Sequence, residues 1–183
     1  MDRPRLFIGI PIDRSLAKKL MADLSGFALP WPKLKTVLPE QMHLTLKFLG
    51  ETPLEQLPQI ISVLDNLKNK TGPLDLIIDR AITISPQHPK VIALSLEKNP
   101  RLEKLQQRIE QTLWQAGLAD KEMRKALPHL TLARIKQATR IEELKILNTW
   151  LVKKLITVNY FELIESVLLP RGPQYTTLQT FDL

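Results

Sequence analysis

The chain contains three histidines, and two of them, His43 and His129, are each followed by Leu-Thr-Leu. With 34 Leu and 13 Thr among 183 residues, that triplet follows a given histidine by chance roughly once in 400. The alternation His43-Leu44-Thr45-Leu46, matched by His129-Leu130-Thr131-Leu132, is the pattern of a half-buried strand. On such a strand the His and Thr share one face and the leucines the other. The surroundings repeat as well. A short apolar run precedes each motif, Leu6 to Ile10 in one case and Val91 to Leu96 in the other, and a helical stripe lies between run and motif both times. The motifs are 86 positions apart and the runs 85. This offset points to an internal duplication, with repeat units at about 5–84 and 90–182 inside one two-lobed domain spanning 1–183. Corresponding strands of the two lobes then face a common cleft.

Apolar spacing predicts the helices. Leu16, Leu20 and Leu24, opened by Asp13 as N-cap, give one that ends near Gly26. Leu54, Leu57, Ile60, Ile61, Leu64 and Leu67 give a second, between Thr52-Pro53 and Gly72-Pro73. Leu102, Leu105, Ile109 and Leu113 follow Asn99-Pro100 as a third, and Ile141, Leu144, Leu147 and Leu151 make a fourth. Pro30, Pro32 and Pro39 turn residues 27–41 into a loop. A long strand is expected over 74–84, and two closing strands, about 157–168 and 175–182, flank the turn Pro170-Arg171-Gly172-Pro173.

Twenty-six Lys and Arg against 19 Asp and Glu leave a net charge of +7 and a pI near 9.7. That balance favours polyanionic partners such as nucleic acid or phosphorylated ligands. The absence of cysteine rules out a disulfide framework, a thiolate zinc site and a cysteine nucleophile. The Leu6 to Ile10 run is too short for the apolar region of a signal peptide, and no uncharged apolar stretch reaches the ~18 residues of a membrane span. A soluble, cytoplasmic monomer without membrane contact is expected.

Residues two apart on a strand are separated by about 6.6 Å, which lets a tetrahedral oxyanion meet the imidazole at one edge and the hydroxyl at another. Facing strands bring four such groups together. A neutral imidazole takes a proton from an attacking oxygen while a protonated one supplies a proton to the leaving oxygen. Threonine hydroxyls hydrogen-bond the non-bridging oxygens as charge builds there. His43 and His129 are therefore the expected catalytic pair for cleaving a phosphodiester, with Thr45 and Thr131 holding the phosphate. This chemistry calls for no metal or cofactor. A catalytic zinc needs three protein ligands, and the only further imidazole, His88, sits in the loop Pro86-Gln87-His88-Pro89, which reads as surface.

These residues resemble the 2H phosphoesterases, named for two His-x-Thr-x motifs, and more closely the RNA 2′,3′-cyclic phosphodiesterases, also called 2′-5′ RNA ligases. The resemblance is carried by Arg5-Leu6-Phe7-Ile8-Gly9-Ile10-Pro11, His43-Leu44-Thr45-Leu46-Lys47-Phe48-Leu49-Gly50-Glu51, Pro128-His129-Leu130-Thr131-Leu132-Ala133-Arg134 and Gly172-Pro173-Gln174-Tyr175-Thr176. It implies an α+β fold of two pseudo-symmetric lobes, with antiparallel sheets lining a central cleft and helices outside. It also implies metal-independent hydrolysis of RNA 2′,3′-cyclic phosphate ends to 2′-phosphate, with reverse 2′-5′ RNA ligation. His43 is then the proton donor to the departing 3′ oxygen and His129 the acceptor from water, roles that a pseudo-symmetric pair exchanges on reversal.

Arg134 matches the family's post-motif arginine. By strand parity it lies five residues from His129 and faces away from the cleft unless a bulge redirects it, so a substrate contact and a salt-bridging role both stand. Where family members carry Arg-Ser before the final hairpin, this chain has Glu165-Ser166, a departure that bears on RNA contact or on which terminus is accepted. Two other functions fit the motifs: a phosphodiesterase of small cyclic nucleotides or oligonucleotides, and a non-catalytic RNA-binding module that kept the cleft.

Lys33 and Lys35 precede the first motif, and Lys121, Arg124 and Lys125 precede the second. These loops flank the cleft, either as contacts to RNA phosphates or as solvated chain. Trp31 stacks on a base or packs in the core. Lys153 and Lys154 read as the end of the fourth helix.

Overall fold

Helix α3 (Pro100–Gln115) shows how the chain builds its elements. The Asn99 side chain accepts hydrogen bonds from the Arg101 and Leu102 amides, both at 3.0 Å. Pro100 takes the first turn, where its missing N–H leaves no bond unmade. Leu102, Leu105, Ile109 and Leu113 then fall on one face, each no more than 1% exposed, and burying each stabilises the fold by about 1.5–3 kcal/mol. In α1 (Arg14–Ser25) Asp13 caps the first turn and Ala17, Leu20 and Leu24 are buried. In α2 (Leu57–Asp65) Ile60 and Leu64 are buried. The computed structural model describes residues 3–85, 87–121, 127–170 and 172–183, so Pro86, Arg124, Lys125 and Arg171 lie outside the described residues.

The strands are β1 (Arg5–Pro11), β2 (Leu34–Thr36), β3 (His43–Glu51), β4 (Leu74–Ile84), β5 (Val91–Leu96), β6 (His129–Ile135), β7 (Leu151–Val158), β8 (Tyr160–Leu169) and β9 (Gly172–Asp182). They form one sheet in the order β7-β4-β5-β6-β3-β1-β8-β9, with β2 added beside β6. Every pairing is antiparallel. The α+β architecture with antiparallel strands is thus as the sequence implies. The leucines of the alternating motifs, Leu44, Leu46, Leu130 and Leu132, enter the same buried cluster as the helix stripes. The opposite face carries His43, Thr45, His129 and Thr131.

The sheet has a seam at its centre. β3 and β6 pair at a single position, Leu44 opposite Leu130, and diverge on either side. On one side β2 takes over, pairing with Ala133 to Ile135 of β6. The halves are not contiguous in sequence. β4 pairs with β5 and β7 on the β6 side, whereas β8 and β9 extend the β1 side.

Several expectations are corrected. The fourth helix is a 3-10 helix, Ile141–Thr149. Ile141, Leu144 and Leu147 recur strictly every third residue, a repeat that suits three residues per turn better than 3.6. Leu151, Lys153 and Lys154 belong to β7, not to a helix end. Val152, Ile156, Thr157 and Val158 supply β-branched residues that favour strand there. Lys153 pairs with Asp79 and Glu97 at 2.6 and 2.7 Å. Closing strands number three, because Asn159 separates β7 from β8. The second helix is preceded by a separate 3-10 turn, Leu54–Gln56. Residues 27–41 hold β2 and two 3-10 turns, Trp31–Lys33 and Pro39–Gln41. Among the described residues no helix is long and apolar enough to cross a membrane.

Candidate active site

The Leu44–Leu130 pairing fixes the geometry of the motif residues. In that antiparallel register His43 stands opposite Thr131 and Thr45 opposite His129. The four side chains occupy two adjacent cross-strand positions on one face, with the histidines on a diagonal of about 7–8 Å between Cα atoms. All four residues are half-buried. Neither threonine hydroxyl hydrogen-bonds another described residue.

Both imidazoles are held in the same way. His43 Nδ1 donates to the carbonyl of Gln41 and His129 Nδ1 to that of Leu127, each at 2.7 Å. A carbonyl only accepts, so Nδ1 carries the hydrogen and Nε2 is left as the nitrogen available for proton transfer. Neutral, it accepts a proton; charged, it donates one. Burial holds His43 below the ordinary imidazole range, and the positive charge of His129 and Arg134 adds to the effect against the hydrogen bond from Gln41.

A bulge follows each motif. Across β1 and β3 the register steps from Gly9 opposite Thr45 to Ile8 opposite Lys47, leaving Leu46 extra. Across β5 and β6 it steps from Ala93 opposite Thr131 to Ile92 opposite Ala133, leaving Leu132 extra. One extra residue inverts the parity of all that follows. Lys47 therefore reaches Glu110 of α3 at 3.5 Å instead of entering the cleft. Phe48 and Arg134, each five residues past its histidine, are turned onto the histidine face. Phe48 packs on Phe7 at 5.9 Å and is 58% exposed. Arg134 is close enough to act electrostatically on both His43 and Tyr175. The bulge, not an ion pair, explains the position of Arg134, for which the described residues supply no carboxylate.

The model of the 2′-5′ RNA ligase superfamily matches residues 31–166, about three-quarters of the chain and both motifs. The chain belongs to this superfamily. An RNA 2′,3′-cyclic phosphodiesterase of Bacillus subtilis is 34% identical over 139 residues, covering 72% of each chain. One from Archaeoglobus fulgidus is 28% identical over 184 residues, covering 97% of this chain and 99% of its own. A solved structure from Thermus thermophilus superposes with a TM-score of 0.80 at 26% identity, covering 98% of this chain and 97% of its own. Its fold is the one described above.

The superfamily's cleft has further walls here that motif reading does not reveal. The Phe7 ring lies 4.6 Å from that of His43, and Tyr175 of β9 meets His43 edge-on at 5.2 Å. Burial raises the Tyr175 hydroxyl above its usual range, opposed by Arg134 and Arg5 nearby. Gln41 ties β9 to this cluster by donating from its side chain to the Pro173 carbonyl. Both ring residues lie in the opening and closing blocks of the sequence, but only strand pairing shows that they meet. Other candidates are placed as follows. Lys35 stands opposite Arg134 across β2 and β6 and shares its face. Lys33 is taken by Glu143 at 2.9 Å, Lys121 lies over the Trp114 ring at 5.7 Å, and Trp31 packs against the core. His88 is an exposed loop residue.

Proposed function

We propose that this chain hydrolyses RNA ends bearing a 2′,3′-cyclic phosphate to 2′-phosphates, using its own side chains for acid–base catalysis. The observation that carries this reading is the pair of imidazoles on one face, each with Nδ1 occupied and Nε2 available, beside two unpartnered threonine hydroxyls. Water attacks phosphorus as His129 Nε2 accepts its proton. The P–O3′ bond breaks as His43 Nε2 protonates the departing oxygen, and the phosphate stays on O2′. Thr45, Thr131 and Arg134 hold the non-bridging oxygens where negative charge grows. An RNA 5′-hydroxyl in place of water gives a 2′-5′ joint by the same displacement.

Burial favours neutral His43 in the free protein, whereas the donor role needs its cation. The anionic phosphate reconciles the two, because a negative charge at Nε2 favours the protonated ring. The names of the curated relatives support RNA as substrate, as does the net charge of +7. An RNA substrate suits the cytoplasm, and a cleft assembled within one chain suits a monomer.

The test is to incubate the protein, with EDTA present, with a short RNA ending in 2′,3′-cyclic phosphate and separately with a 3′,5′-cyclic nucleotide, and to locate the phosphate in the product. A 2′-phosphate from the RNA is expected. Turnover of the 3′,5′-cyclic nucleotide alone would make the chain a small-molecule phosphodiesterase, and tight RNA binding without turnover would make it a binding module.

A further inference from the structure

Beside the catalytic face, at the start of β1 and the outer half of β8, lies an open groove of about 530 Å³ whose charged lining is Arg3, Arg5, Glu51 and Glu165. It joins the cleft through β1. Arg5 precedes Phe7 by two residues, about 7 Å along a strand, and the Phe7 ring packs on His43. Arg5 also acts on the Tyr175 hydroxyl, and Ser166 in the groove wall is the cross-strand partner of Tyr175. The groove therefore begins about where the next nucleotide of a strand ending at His43 must lie.

The charges in this groove are unusual in being unspent. Arg5 and Glu51 are Cα partners across β1 and β3, yet none of the four side chains forms an ion pair with another described residue. Glu165 is half-buried. A carboxylate and guanidinium groups that share a groove without pairing leave their bonding capacity for a ligand that carries both anionic and donor groups. A nucleotide is such a ligand. Its phosphodiester matches arginine, and a base bearing an exocyclic amino group matches a carboxylate, which can only accept.

Building on the catalytic reading above, we infer that the groove binds the nucleotide on the 5′ side of the cyclic end, with its phosphodiester at Arg3 and Arg5 and its base edge at Glu165 and Glu51. The protein then selects cytosine over uracil at that position. The two pyrimidines differ in the group at issue: cytosine presents an N4 amino donor, and uracil presents an oxygen that repels a carboxylate.

The experiment compares kcat/KM for two dinucleotides that end in the same 2′,3′-cyclic nucleotide and differ only in a cytosine or uracil neighbour. A 2′,3′-cyclic mononucleotide, which has no neighbour, is the control. The native protein is expected to prefer the cytosine dinucleotide by about tenfold or more. Glu165→Gln brings the ratio close to one, since an amide offers both donor and acceptor, and leaves the mononucleotide rate unchanged. Arg3→Ala lowers kcat/KM for both dinucleotides alike and weakens its salt dependence. A native ratio near one, or a ratio that survives Glu165→Gln, overturns the inference while mononucleotide turnover leaves the catalytic reading standing. Failure of the native protein on all three substrates overturns the catalytic reading, and this inference with it.

Discussion

Replacing one imidazole should remove one of two proton transfers with nothing to substitute for it. Each ring has a single nitrogen free for chemistry, because the other is bonded to the carbonyl of Gln41 or Leu127. The third histidine, His88, is on an exposed loop and no part of this face. A positioned acid or base contributes about 10²–10⁴ in rate, so His43→Ala and His129→Ala should each raise the barrier by about 3–5 kcal/mol. Both transfers serve one displacement at phosphorus. The double variant should accordingly lose little more than the slower single variant, as groups acting as a unit do. The assay is steady-state hydrolysis of a 2′,3′-cyclic-ended RNA from about pH 5 to 9, where the native profile should be bell-shaped and each single variant should lose one limb. Circular dichroism should show the fold retained, since both rings lie on the open face of the sheet. A single variant that loses less than about tenfold, or that keeps both limbs, would refute the two-imidazole mechanism.

Thr45→Val and Thr131→Val keep shape and remove one hydroxyl each, and kcat should fall by on the order of 10², as for loss of an oxyanion donor; unchanged kcat would take that threonine off the phosphate. Because burial holds His43 below the usual imidazole pKa, an anion in the cleft should draw a proton onto it near pH 7. Sulfate binding measured calorimetrically in buffers of different ionisation enthalpy should therefore show net proton uptake that grows as pH rises from about 6 to 7, and that His43→Ala abolishes. Absence of uptake would mean the anion binds elsewhere. Gly9 faces Thr45, and a Cβ there would sit 3.2 Å from both the Phe7 ring and the Leu44 carbonyl. Gly9→Ala should cost about 1–3 kcal/mol in urea denaturation and slow turnover by displacing Phe7 from His43.

The motif strands were legible in the sequence because their period of two coincides with real burial: Leu44 and Leu130 are core, and their neighbours face the cleft. Helices α1 and α3 were legible from leucine stripes and capping residues. β7 was not, because Leu151 and Leu155 repeat at a helical interval yet both lie on the exposed side of an edge strand. The neighbourhood of the motif residues was hidden for a different reason. Phe48 and Arg134 reach the cleft only because Leu46 and Leu132 are extra, and a bulge depends on the partner strand, which local alternation does not encode. Tyr175 and Phe7 meet through β8, a link between the two ends of the chain that no short pattern carries.

The order of synthesis adds a consequence to the interleaved halves. β1 is among the first segments to leave the ribosome, but the strand that covers its outer edge, β8, is among the last. Until then the backbone of Leu6 to Gly9 offers unpaired donors and acceptors to any passing strand. The nascent chain thus carries an open, apolar edge through nearly its whole translation, and slowing elongation before β8 should raise its tendency to aggregate.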